Sequence, residues 1–149
     1  MRPGVGSVIS SASSSAVSVI LVGGGKAQLS EPAMARELYI SPLFARRRAR
    51  AEASGVPWFV VSGRWRLLDP GDVLAPYSFS LGEQSVNYQR AWGRFVAEQL
   101  CLAGPVGRGD VVEICVDATY AALTAPIEYL GARVRRATVN ASNSGNEPR

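Results

Sequence analysis

The chain has 149 residues, of which 47% are hydrophobic and 19% are charged, a composition that argues against global disorder and favours one globular domain. Its net charge of +4 is compatible with a polyanionic partner but too small to indicate one. It contains no histidine, which excludes Ser-His and Cys-His nucleophiles, and its 2 cysteines lack CxxC spacing. We therefore expect neither a metal site nor a cofactor.

Both ends of the chain are polar. We predict a flexible serine-rich lead-in over residues 1–16, a single domain over 17–139 and a disordered tail over 140–149. The apolar run after the lead-in is too short to span a membrane, and the serines interrupt any signal-peptide core. Cys101 and Cys115 stand in apolar stretches, where we expect reduced core residues. These features predict a cytoplasmic protein without membrane attachment.

Apolar, β-branched runs alternate with segments of helical periodicity. The strands are predicted at residues 17–23, 57–63, 110–117 and 132–139. The helices are predicted at residues 41–55, 85–104 and 118–132. Ser41 is placed to cap the first helix, and Pro126 should kink or split the last one. This order predicts an α/β fold, an open three-layer sandwich with a mostly parallel sheet of about four strands.

Three polar segments follow predicted strands. They are GGGK at residues 23–26, SGRWR at 62–66 and DATY at 117–120. Ligands of open α/β sheets bind beyond the carboxyl ends of the strands, where these segments should meet. We therefore expect a ligand pocket at this edge of the sheet.

The GGGK segment holds the only lysine of the chain, Lys26. The glycines at 23–25 should let the backbone adopt positive φ, approach a ligand closely and present amides to an anion, with Gly24 and Gly25 as ligand contacts. Lys26 would then bind a phosphate or carboxylate, or act as a nucleophile. The segment is not a Walker A loop, because no glycine precedes it at the required spacing and Ala27 replaces the Ser or Thr. The alternative is a flexible turn with a solvated lysine.

Other candidate ligand residues occur in the loops, each with a structural alternative. Arg36, Tyr39 and Ser41 lie between the first strand and the first helix, where they would bind a ligand, or instead form an ion pair, pack and cap. Residues 61–81 form a long loop of the kind that is often functional. Its candidate ligand contacts are Ser62, Arg64 and Tyr77, while Trp65 would stack on a base or seal the core.

The third strand ends in an acidic residue. Asp117 would cap the next segment, act as a general base or orient Lys26, and Tyr120 would orient a ligand one turn later. The candidate catalytic residues are thus Lys26, Ser62 and Asp117.

The first predicted helix carries the run ARRRAR. Arg46, Arg47 and Arg50 share much of one helical side and would follow a nucleic-acid backbone. The alternative is a solvated charged face.

The segments ARELYISPLF, LLDPGDVLAPY and VVEICVDATY carry a resemblance. With the GGGK loop they make residues 17–139 resemble a bacterial and phage domain family of unknown function, which is distantly similar to the YaaA peroxide-stress proteins. That resemblance implies DNA binding and a part in oxidative stress. The lysine loop followed by Tyr-x-Ser is also distantly similar to a domain of archaeosine synthase, which implies a nucleobase ligand.

The chain departs from this pattern at three places. Gly24 stands where the pattern has a cysteine, residues 62–66 replace a Ser-Ala-Lys-His-Gly stretch, and Asp117 ends a strand that commonly leads into histidine. The positions of Lys26, Ser41, Pro76 and Tyr77 are kept. Two functions stay open: a YaaA-like protein that acts on or binds a nucleotide, nucleobase or nucleic acid in a pocket around Lys26, or a catalytically decayed module that binds DNA or a partner through its arginine-rich helix.

Overall fold

The computed structural model describes residues 16–104 and 106–137. Within them the strands are β1 Val19–Gly23, β2 Ala33–Met34, β3 Trp58–Ser62, β4 Arg66–Leu68, β5 Val73–Leu74, β6 Val111–Cys115 and β7 Arg133–Arg136. The helices are α1 Ala35–Leu38, α2 Pro42–Ser54, α3 Val86–Ala103 and α4 Thr124–Tyr129, and 3-10 turns occupy Leu81–Glu83 and Ala118–Leu123. The predicted tail and the predicted lead-in, except Ala16, lie outside the described residues.

The main sheet has five strands in the order β4-β3-β1-β6-β7. Strands β3, β1, β6 and β7 run parallel, and β4 returns antiparallel beside β3. β2 and β5 form a separate antiparallel pair. The predicted α/β fold with a mostly parallel sheet is confirmed, and β4 is one strand more than the sequence indicated.

Helix α2 begins where the sequence predicts. The Ser41 hydroxyl accepts a hydrogen bond from the Phe44 backbone N–H at 3.1 Å, Pro42 takes the first position, and Gly55 ends the helix at φ 78°. The predicted helix over 118–132 is divided into a 3-10 turn and α4. Pro126 is the third residue of α4, within the first turn, where a missing N–H costs no helical hydrogen bond.

The central strand β1 buries side chains on both of its faces. Ile20 and Val22 pack with Phe44 and Ala51 of α2 on one side of the sheet. Val19 and Leu21 face the other side, where they pack with Trp92, Val96 and Leu100 of α3 and with Ile127 of α4. These contacts make three layers, with α2 and the short α1 on the first face and α3 and α4 on the second.

The connecting helices cover opposite faces of the sheet when the strand order reverses direction. From β1 to β3 it moves one way with α2 on one face, and from β3 to β6 it moves back past β1 with α3 on the other face. Both crossovers therefore have the same hand, as parallel sheets require. The loops that follow β1 and β6 consequently diverge toward opposite faces and leave an opening between them.

The predictions for the two cysteines have different outcomes. Cys115 is buried at the end of β6, as expected, but Cys101 is exposed on α3, so its prediction as a core residue is wrong. No helix among the described residues is long and apolar enough to cross a bilayer.

Helix α3 touches the 3-10 turn over 118–123 through Gly93. A Cβ atom at this position would lie 2.2 Å from the carbonyl oxygen of Ala122. Exchange of a helical glycine for alanine ordinarily stabilises by about 1 kcal/mol. We expect Gly93→Ala to lower the free energy of unfolding by about 1–3 kcal/mol instead, because the two backbones must separate.

Chemical denaturation of Gly93→Ala measures this effect, with Gly107→Ala as control, since a Cβ atom at position 107 meets open space. Equal or greater stability of Gly93→Ala would show that this contact does not hold α3 in place.

Candidate functional site

A cleft of about 710 Å³ opens at the carboxyl ends of the parallel strands. Its walls are the loop after β1, the segment after β6 and residues 77–84. Six of the candidate residues line it: Gly24, Gly25, Lys26, Tyr77, Asp117 and Tyr120. The meeting of the strand-end loops at one edge of the sheet agrees with the sequence analysis.

Five other candidate residues do not line the cleft. Tyr39 and Ser62 lie behind its wall, and Ser41 is engaged as the cap of α2. Arg36 pairs with Glu37 at 3.8 Å on the outer surface. Arg64 lies at the turn between β3 and β4, where its guanidinium covers the ring of its neighbour Trp65 at 4.7 Å.

The glycines at the end of β1 and directly after it make room for two tyrosine rings. A Cβ atom at Gly24 would lie 2.6 Å from ring carbons of Tyr39, and one at Gly23 would lie 3.0 Å from a ring carbon of Tyr120. None of the three glycines has a positive φ, so that part of the prediction is wrong. The close approach that requires glycine at position 24 is an approach to Tyr39, whereas a Cβ atom at Gly25 would meet open space.

A chain of hydroxyl groups fixes the wall behind the cleft. Ser62 is fully buried, and its Oγ accepts hydrogen bonds from the backbone N–H groups of Arg64 and Trp65 at 3.1 and 2.9 Å. These bonds fill both acceptor sites of the hydroxyl, so it donates to the Tyr77 hydroxyl at 2.8 Å. The Tyr77 and Tyr39 hydroxyl groups share the next hydrogen bond, at 2.7 Å. This arrangement favours a structural part for Ser62, and its catalytic role stays a prediction.

Two tyrosines at the cleft, Tyr39 behind its wall and Tyr120 in its lining, have raised pKa values. Burial raises the pKa of Tyr39 far above its usual value, and the neighbouring Tyr77 raises it further. Burial also raises the pKa of Tyr120. Neither phenol can therefore act as a base at neutral pH, and only Tyr120 lines the cleft, where it can orient a ligand.

Gln28 joins two walls of the cleft and was not among the sequence candidates. Its side-chain oxygen accepts from the Tyr77 backbone N–H at 2.9 Å, and its side-chain nitrogen donates to the Gly25 carbonyl at 3.1 Å. A glutamine in a loop carries no recognisable pattern, so only the folded chain reveals this link between residues 49 positions apart.

Acidic residues of β6 and its extension meet arginines of α2. Glu113 is buried and accepts two hydrogen bonds from Arg50, both at 2.6 Å, and a third from Arg135 at 2.9 Å. Burial alone would raise the pKa of Glu113, but the hydrogen bonds and charges of both arginines hold it below its usual value. Asp117 contacts Arg47 at 3.5 Å and makes no side-chain capping bond, so the predicted cap is wrong.

The three arginines predicted to form a nucleic-acid surface do not share one exposed face. Arg47 is only 4% exposed, because it follows Phe44 by one turn on the side of α2 that faces the sheet. Arg50 is engaged with Glu113, which leaves Arg46 as the exposed member of the three.

The model of a family of unknown function, DUF6884, matches residues 19–144, and the chain belongs to this family. The matched range includes the whole cleft. No curated protein matches the chain. Membership of a family of unknown function is thus confirmed, while the similarity to YaaA-type proteins stays a prediction.

Replacement of Ser62 tests the hydroxyl chain. Ser62→Ala leaves two backbone N–H groups and the Tyr77 hydroxyl without their partner, so we expect a loss of about 1–3 kcal/mol in the free energy of unfolding. Urea denaturation provides the measurement. Ser78→Ala, at an exposed position in the cleft, is the matched control, and an equal loss in both variants would contradict this role of Ser62.

Replacement of Glu113 tests the buried ion pairs. The pKa of Glu113 lies below its ordinary value of 4.5 in the folded chain, so its contribution to stability is full above that pH and is lost as the pH falls further. We expect Glu113→Gln to lower the free energy of unfolding at neutral pH by roughly 3 kcal/mol, because both arginines lose their buried counter-ion. The loss should not be larger, because both arginine side chains are partly exposed and water can solvate them.

The unfolding free energy of Glu113→Gln should also fall less steeply than that of the wild type as the pH drops below 4.5. Denaturation across a pH series measures both effects. Glu98→Gln, at an exposed position of α3, is the control and should follow the wild type. Parallel curves for Glu113→Gln and the wild type would contradict the prediction.

Proposed function

We propose that this member of a family of unknown function binds a nucleotide or nucleobase in the strand-end cleft. The observation that supports this most is the position of the cleft, between the loops that leave β1 and β6 toward opposite faces of the sheet. Open α/β sheets bind their ligands at such switch points, and nucleotides are frequent among those ligands.

The lining of the cleft suits a flat heterocycle with polar edges. Tyr120 and Phe79 supply aromatic surface, while the side-chain amides of Gln28 and Gln84 lie on its walls. Gln28 is already bonded to Tyr77 and Gly25, and Gln84 donates to the Ser80 carbonyl. An amide has two donor and two acceptor sites, so each keeps capacity for the edge of a base. The cleft volume of about 710 Å³ also falls within the range of small-molecule sites, roughly 300–1,000 Å³.

Lys26 supplies positive charge at the cleft. Its side chain is exposed and follows glycines whose backbone also lines the wall. We assign it a contact with a phosphate of the ligand, which it can follow as a flexible point charge. The resemblance to YaaA-type proteins and to archaeosine synthase supports a nucleobase or nucleotide as the ligand class.

The alternative function, binding of DNA or a partner through the arginine-rich helix, receives less support. Burial of Arg47 and the engagement of Arg50 by Glu113 remove two of the three charges on which it depends. A nucleic acid that binds through the helix should still depend on Arg46, and this distinguishes the two functions.

Titration with nucleosides and nucleoside phosphates tests the proposal. We expect saturable thermal stabilisation of the wild type, and about tenfold weaker nucleotide binding by Lys26→Ala, because one charge-assisted contact is lost. The variant should lose more affinity for the nucleotide than for the nucleoside. Arg46→Ala, which removes an exposed cation outside the cleft, is the control and should bind like the wild type.

Two results would contradict the proposal. One is the absence of any stabilisation by nucleosides or nucleotides. The other is oligonucleotide binding with a steep salt dependence that Arg46→Ala weakens and Lys26→Ala does not, which would favour the helix surface.

A further inference from the structure

Arg47 is a buried cation with an incomplete set of partners. Its side chain is 4% exposed, and its Nε–H has no hydrogen-bond partner among the described residues. Its charged contact is with Asp117, whose carboxylate lies 3.5 Å from Nη2. Removal of a guanidinium from water is costly unless a close and well-aligned anion compensates it. The Asp117 carboxylate does so only in part.

Arg50, one turn later on α2, provides an internal comparison. It directs Nε and Nη2, which form one edge of the guanidinium, at both oxygens of Glu113 with distances of 2.6 Å. The same edge of Arg47 has an unpartnered Nε and one long contact from Nη2. This edge is the part of arginine that binds two oxygens of one phosphate or carboxylate group. Arg47 thus has an anion-binding edge that makes only one long contact with a carboxylate.

Arg47 does not itself line the cleft, and Asp117 connects the two, since it contacts Arg47 and lines the cleft. The Asp117 side chain is 64% exposed and makes no capping hydrogen bond that would fix it. A carboxylate with one long contact can turn toward water at small cost, which would open the guanidinium to an anion in the cleft. The Lys26 ammonium on the same cleft would add a second positive charge.

We propose that Arg47 is the buried receptor for a phosphate group of the ligand, and that the Asp117 carboxylate occupies this place until the phosphate displaces it. This inference rests on the proposed function, since it assigns one end of the same ligand. It also makes Asp117 a competitor of the ligand instead of a catalytic base. Removal of its charge should therefore strengthen phosphate binding, whereas loss of a base would leave binding unchanged or weaken it.

The test uses the full chain and inorganic phosphate as probe, with chloride adjusted to keep ionic strength constant. We expect Asp117→Asn to unfold at a lower temperature than the wild type without phosphate, because Arg47 loses its counter-ion. Phosphate should restore that stability and bind at least tenfold more tightly than to the wild type, as measured by calorimetry. Glu98→Gln makes the same charge change on the exposed face of α3 and should behave like the wild type.

Arg47→Lys keeps the charge but removes the two-pronged edge. Alone and combined with Asp117→Asn, it should bind phosphate at least tenfold more weakly than the matching protein with arginine. Arg46→Lys makes the same substitution at an exposed position of α2 and should bind phosphate like the wild type. If Arg47→Lys does not fold, the direction of the Asp117→Asn effect decides the question.

The proposal is overturned if Asp117→Asn binds phosphate no more tightly than the wild type, or if folded Arg47→Lys retains full phosphate affinity. Nucleoside titrations separate this failure from failure of the proposed function. Nucleoside binding with no effect of Asp117→Asn on phosphate would leave the cleft function and remove the receptor role of Arg47. Tight phosphate binding to Asp117→Asn with no nucleoside or nucleotide binding would support the receptor role of Arg47 and contradict the proposed function of the cleft.

Discussion

The parallel pairing of β1 with β3 on one side and β6 on the other is the constraint on which the site depends. A strand buried on both faces needs helices above and below it, so the chain must leave β1 toward one face and β6 toward the other. That divergence opens the cleft. Hydrophobic burial along β1 is thus the cause of the position of the cleft, and the polar residues only determine what the cleft can hold.

Two kinds of contact give the cleft walls of different stiffness. On one side, the hydroxyl groups of Ser62, Tyr77 and Tyr39 are hydrogen-bonded in series, and Ser62 and Tyr39 are buried, which makes this wall rigid. In front, Lys26 and Asp117 are exposed and loosely held. A rigid wall orients a ring, whereas mobile charges adapt to an anion, and a nucleotide presents both features.

Much of the fold follows from local sequence patterns, because apolar runs and helix caps act over a few residues. The parallel strands, the capped start of α2 and the gathering of the strand-end loops were predictable for this reason. Strand β4 could not be predicted in this way, because its 3 residues are too few to show an alternating hydrophobic pattern. It forms only when the chain turns back and pairs with β3. Arg47 was assigned to the surface because charge alone indicated it, while its position one turn after Phe44 places it against the sheet. Gln28 and the hydroxyl chain join distant segments, which no local pattern records.

The fit of Gly24 against the ring of Tyr39 also has a consequence for sequence change. A side chain at position 24 would occupy the space of that ring, so neither position can change freely without the other. Loss of the ring would in turn remove the last hydroxyl of the chain from Ser62. Homologous sequences that carry a larger residue at the first position should therefore carry a smaller one at the second and anchor Tyr77 by another route. The two positions form one unit of covariation, 15 residues apart in sequence and in contact in space.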